Sequence, residues 1–166
     1  MKNKIIALLI IFFAGMMAAA PLGELDPAVS ARLWGLHIHA AEILFNHFAP
    51  RMSAGGRLVA IGSRTSRGAA GRSQYVATKA ALVGMVRSWA AELAPRGITA
   101  NVVAPGATQT PMLSAPGREA SPPKVPPMGR LIAPEEVAAM VSYLLSAEAA
   151  PVTGQELVLC GGASLA

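Results

Sequence analysis

The chain predicts an α/β fold built on a parallel sheet, and three observations carry that prediction. Two short apolar runs, RLVAIGS from Arg57 and ITANVVAPG from Ile98, end in glycine- or proline-bearing turns, as strands do. A long helical pattern, YVATKAALVGMVRSWAAELAP, lies between them from Tyr75. Further strand-like and helical segments alternate with these on both sides, and such alternation points to βαβ units.

The first twenty residues, MKNKIIALLIIFFAGMMAAA, admit two readings. Lys2 and Lys4, an apolar run and small residues outline a secretory signal. Against it, Pro21 follows the A-x-A at Ala18 and Ala20 and disfavours cleavage, and an apolar run from Ile5 to Ala20 falls short of the roughly 20 residues that span a bilayer. Ile5 to Phe13 instead suits a strand buried on both faces. The expectation is a leader or remnant strand over residues 1–13 and a cytoplasmic protein, with export or tethering through residues 1–20 as the alternative.

From Pro27 to Met52 the pattern is helical, with Val29, Leu33, Leu36, Ala40, Ile43, Leu44 and Phe48 as its apolar stripe. Arg57 to Ile61 is the next strand. The following helix is apolar nearly all round, through Val76, Leu82, Val83, Met85, Val86, Trp89 and Leu93, which predicts burial on more than one side. Ser73 is placed to cap it, and Pro95 and Gly97 end it. Ile98 to Val103 is a strand that Pro105-Gly106 breaks at its carboxyl edge, where open α/β sheets bind ligands. Pro134, Glu135 and Glu136 open a helix running to about Ser146, with proline in its first turn and acids at its positive end. Glu156 to Cys160 is the last strand.

Chemistry concentrates in GSRTSRGAAGRSQYVATK, residues 62–79. Tyr75 and Lys79 are four apart, so a helix stacks them on one face. An ammonium near a phenol favours the phenolate and lowers its pKa from the ordinary value of about 10. A tyrosine so tuned serves as a general acid or base. Ser63 precedes a flexible turn that can bring its hydroxyl beside the tyrosine, where two hydroxyls would polarise one carbonyl. Alone, a Tyr and a Lys four apart are common in helices. The strand before them and the strand and turn after them strengthen the functional reading.

Composition bounds the rest. The chain has 166 residues, 53% of them hydrophobic and 14% charged, enough for one domain with a sizeable core. Net charge is +5, and Arg64, Arg67 and Arg72 cluster before the tyrosine. They are either a solvated loop or an attractor for an acidic substrate or nucleotide phosphate. Basic runs interleaved with aromatics are missing, so nucleic acid is not an expected partner. Cys160 is the only cysteine and rules out an intramolecular disulfide. His37, His39 and His47 lack the spacing that gathers ligands on one helical face, and no metal is assigned.

The order of these motifs closely resembles the short-chain dehydrogenase/reductase family, and 3-oxoacyl-ACP reductase-like members in particular. Tyr75 and Lys79 resemble its Tyr-x-x-x-Lys, and Ser63 its catalytic serine. Asn101, Pro105, Gly106 and Thr110 are similar to its Asn-x-x-x-Pro-Gly-x-x-x-Thr segment, and Ala14-Gly15 to the end of its Asn-Asn-Ala-Gly motif. Phe12 and Phe13 stand in place of the two asparagines. The resemblance covers residues 14–166, and it implies a three-layer Rossmann-type parallel sheet with the N-terminal half missing. It implies NAD or NADP as cofactor, contacted by Ala14, Gly15, Tyr75, Lys79, Pro105, Gly106, Thr108 and Thr110. It further implies interconversion of a small-molecule ketone and a secondary alcohol, a proline-rich substrate lid over residues 111–128, and a homo-oligomer. Two departures stand out. The family's glycine-rich turn is absent, which puts dinucleotide binding in doubt, and its helix asparagine falls at Gly35. The competing expectation is a non-catalytic fragment acting as a structural or dimerisation partner.

Overall fold

A computed structural model describes residues 9–114 and 122–165. Residues 1–8 of the expected leader and 115–121 of the expected lid lie outside the described residues. Four strands, β1 (Leu9–Phe12), β2 (Arg57–Ile61), β3 (Thr99–Pro105) and β4 (Glu156–Leu159), form one sheet in the order β1-β2-β3-β4. Every pair is parallel, with Ile10 beside Leu58 and Leu58 beside Ala100.

The alternation of side chains along β2 and β3 builds three layers. Leu58, Ala60, Val102 and Ala104 face one side and pack with Phe45, Leu82, Val86 and Ala90. Those partners belong to α2 (Ala40–Phe48) and α3 (Ser73–Leu93). Val59 and Val103 face the other side, under Val137, Val141 and Leu144 of α4 (Pro134–Leu145). Glu136 accepts the Ala133 N–H at 2.8 Å at the start of α4.

Four details differ from the sequence reading. The first helical segment is broken: α1 (Pro27–Trp34) enters a π-helical turn, Gly35–His39, before α2. That turn adds a residue to the winding and rotates the buried face. Leu33 is followed inward by His37, Ile38, Ala41 and Phe45, while Ile43 of the expected stripe is 72% exposed. Ser73 does not cap α3 but is its first residue, with Arg72 in the capping position. The buried face of α3 is a single one, carrying Tyr75, Lys79, Leu82, Val86 and Ala90, with Val76, Val83, Met85 and Trp89 half-buried at its flanks. Finally, β1 buries one face rather than two. Ile10 and Phe12 enter the core, whereas Ile11 and Phe13 are exposed, because α4 covers β2 and β3 on that side and β1 lies beyond it.

Candidate active site

A cleft of about 940 Å³ opens at the carboxyl edge of the sheet. Ser63 reaches it from the turn after β2, and Tyr75 and Lys79 from the first turns of α3. Ala14 and Gly15 enter from the loop after β1, and Pro105, Gly106, Thr108 and Thr110 from the end of β3 and the turn beyond. All the residues singled out for catalysis or cofactor contact therefore line one cleft.

Close approach of the backbone makes this assembly possible. A Cβ on Gly62 would lie 2.5 Å from Val102 Cγ1, so only glycine lets the chain turn from β2 into Ser63 beside β3. A Cβ on Gly106 would lie 2.9 Å from Cys160 Cα, in the residue just past the end of β4, which pairs with β3.

The three candidate catalytic side chains are buried. Ser63 Oγ stands 2.9 Å from Thr65 Oγ1 and accepts the Thr65 N–H at 3.2 Å, capping a short 3₁₀ turn. Lys79 Nζ donates to the Ile61 carbonyl at 3.0 Å, which pins it to the end of β2. It lies 5.9 Å from the centre of the Tyr75 ring. Burial lowers its pKa from 10.5 to about 8, so at neutral pH it remains mostly a cation.

Of the three clustered arginines, Arg64 and Arg72 line the cleft. Arg67 turns away and pairs with Glu156 at 3.5 Å.

His37 was missed as a site residue. It is fully buried, its ring packs edge-on against Tyr75 at 5.6 Å, and both its nitrogens are engaged. The three histidines carry no metal-binding spacing, and the π-helical turn that swings His37 inward has no signature in hydrophobic period. The only available signal was Thr78 beside Lys79, a polar residue on the helix face that the Tyr-Lys pair defines. Among the described residues there is no group of three or more His, Cys, Asp or Glu able to hold a metal ion.

A four-stranded parallel sheet with helices packed on both faces and a cleft at its carboxyl edge defines a Rossmann-type α/β protein. A family model described as Enoyl-(Acyl carrier protein) reductase matches residues 8–164. The chain belongs to the short-chain dehydrogenase/reductase family and is similar to its 3-oxoacyl-ACP reductase-like members. It is 43% identical over 111 residues to the 3-oxoacyl-[acyl-carrier-protein] reductase FabG of Vibrio cholerae, covering 64% of this chain and 45% of that protein. To the (2S)-[(R)-hydroxy(phenyl)methyl]succinyl-CoA dehydrogenase subunit BbsD of Thauera aromatica it is 35% identical over 159 residues, covering 92% of this chain and 63% of that one. A blue fluorescent protein from a metagenomic library, solved in complex with NADPH, matches with a TM-score of 0.83 at 34% identity over 93% of this chain and 64% of that structure. The chain thus spans about half to two thirds of the length of these relatives.

Proposed function

We propose that this cleft is the active site of an NAD(P)-dependent oxidoreductase that interconverts a ketone and a secondary alcohol. The observation that carries the reading is the burial of Ser63, Tyr75 and Lys79 around one cleft, with Lys79 held as a cation beside the Tyr75 ring. Ser63 holds and polarises the substrate carbonyl oxygen. Tyr75 donates the proton to that oxygen in reduction and accepts it in oxidation. The Lys79 charge favours the phenolate when the proton has left. Arg64 and Arg72 at the cleft favour a substrate carrying negative charge. Both named relatives act on acyl thioesters by their names, which makes a 3-oxoacyl thioester the first substrate to try.

The residues present fit the nicotinamide end of the cofactor. Lys79 and Tyr75 would hold the ribose, Ala14 and Gly15 would border it, and Pro105, Gly106, Thr108 and Thr110 would meet the carboxamide. When bound, the dinucleotide supplies or takes the hydride. Among the described residues no G-x-G-x-x-G turn leads from a strand into a helix, the arrangement that cradles a pyrophosphate, and the reading therefore expects weak dinucleotide binding by this chain. Isothermal titration of the 166-residue chain should give dinucleotide affinity weaker than micromolar, and micromolar affinity would contradict this.

The activity test uses millimolar NADH or NADPH to offset weak binding, with acetoacetyl-CoA as oxidant and loss of reduced-nicotinamide absorbance as readout. Turnover that Tyr75→Phe lowers about 10²- to 10⁴-fold supports the reading. A Phe variant with most of the parent rate removes Tyr75 as the acid.

A second reading rests on a separate observation. Ile43 on α2 is exposed, and Val76, Val83, Met85 and Trp89 on α3 are only half-buried. A second copy packing there would cover them, making the chain a homo-oligomer, whether catalytic or purely structural. Light scattering at high concentration should show a mass above the monomer, and a monodisperse monomer would count against it. Residues 111–128 are proposed as the substrate lid. Met112 and Lys124 from that span border the cleft, and deleting the span should raise the substrate KM. Among the described residues no helix is long and apolar enough to cross a membrane.

A further inference from the structure

We propose that His37 is a positioning residue that ties the loop Ala14–Met16 to the catalytic helix at Thr78. The inference rests on the active-site reading above, but its geometry can be tested without turnover. The Met16 N–H points at His37 Nε2 from 3.0 Å, so Nε2 must be the ring's acceptor. Its proton then sits on Nδ1, 2.8 Å from Thr78 Oγ1, and is donated to that oxygen. Thr78 Oγ1 passes its own proton on to the Tyr75 carbonyl at 2.9 Å. Every donor and acceptor in this chain of three bonds has one consistent role. It runs from the loop that borders the cleft to the backbone of Tyr75, and Thr78 is the residue before Lys79.

The tie also requires an uncharged ring. A protonated Nε2 could not accept the Met16 N–H. Burial, with the Lys79 charge as the lesser cause, brings the His37 pKa down from 6.5 to about 4, so the ring is neutral wherever the enzyme would work. A Cβ placed on Gly15 would lie 3.7 Å from His37 Nε2 and 3.8 Å from Lys79 Nζ, so the imidazole and the ammonium both lie close to this cleft-lining glycine.

The test compares the chain with three variants. Nitrogen-15 NMR of the imidazole at pH 7 should show a neutral ring with its proton on Nδ1. His37→Phe should speed hydrogen exchange at the Met16 amide about tenfold or more, the worth of one buried hydrogen bond, with β2 and β3 amides unchanged. His37→Gln carries an acceptor at the outer position and should restore Met16 protection. His37→Asn, whose shorter amide reaches only the inner position, should not. In the acetoacetyl-CoA assay His37→Phe should lower kcat/KM for the dinucleotide about tenfold, and His37→Gln should recover most of that loss. A proton on Nε2, a charged ring at pH 7, or Met16 exchange that ignores all three substitutions would overturn the tie. An active parent whose Phe variant keeps its dinucleotide kcat/KM would overturn the positioning role. An inactive parent that passes the NMR and exchange tests would sink the proposed activity while supporting the tie.

Discussion

The two walls of the cleft differ in how they are held. Ser63, Tyr75 and Lys79 stand on a wall whose side chains are buried and anchored to Thr65, to the Ile61 carbonyl and, through Thr78, to His37. The other part of the lining includes Ile11, Phe13 and Met112, exposed apolar side chains with Phe13 at 76%. Atoms that must be placed to a fraction of an ångström sit where the sheet and α3 fix them. Atoms that need only offer apolar surface sit at the sheet edge and on the segment after β3. On this account the first wall does chemistry and the second receives the substrate.

The largest break in that comparison is Ser63→Ala. It removes the hydroxyl that holds the carbonyl oxygen, and kcat should fall about 10²- to 10³-fold, the cost of one donor to a developing oxyanion. A loss confined to KM in steady-state kinetics would move Ser63 to the binding wall.

Lys79→Met sharpens the comparison, because it should improve stability while abolishing turnover. The folded state holds the lysine near pKa 8 against 10.5 unfolded, so between those values the unfolded chain binds more protons. Stability therefore rises with pH from 8 to 10.5, and the full cost of the buried charge is present below pH 8. That cost is on the order of 3 kcal/mol at 1.36 kcal/mol per pH unit. Urea unfolding at pH 7 should show the Met variant more stable by up to that amount, with the difference vanishing above pH 10.5. A Met variant less stable than the parent would mean that the bond to Ile61 outweighs desolvation.

Gly62→Ala attacks the backbone under the first wall. The new methyl would meet Val102 at 2.5 Å and should cost about 1–3 kcal/mol in urea unfolding. Phe13→Ser on the second wall should shift stability by less than about 0.5 kcal/mol, since the ring is already in water. A larger loss would mean that Phe13 is structurally held.

How much of this was legible in the chain differs between the same two walls. Tyr75 and Lys79 could be placed because a four-residue step fixes a helical face whatever surrounds it. Ser63 and Pro105-Gly106 could be placed because a short apolar run ending in a turn marks a strand's carboxyl edge. His37 could not, since its inward position depends on a π-helical turn that hydrophobic period does not encode. The half-open β1 was hidden for a related reason. An apolar run such as Leu9–Phe13 reads alike whether a helix covers its second face or not, and only the position of α4 decides. Ser73 had a capping side chain, but α3 starts one residue earlier than that role requires.

The central claim is tested most directly by measuring Tyr75→Phe and Phe13→Ser side by side in the acetoacetyl-CoA assay, with thermal unfolding of both. The account predicts that Tyr75→Phe lowers kcat about 10²- to 10⁴-fold with an unchanged unfolding midpoint, since one oxygen is lost and the ring's packing is kept. It predicts that Phe13→Ser acts through the substrate KM. A Tyr75 variant that loses only KM, or a Phe13 variant that loses kcat as heavily, would contradict the division of the cleft into a chemical wall and a receiving one.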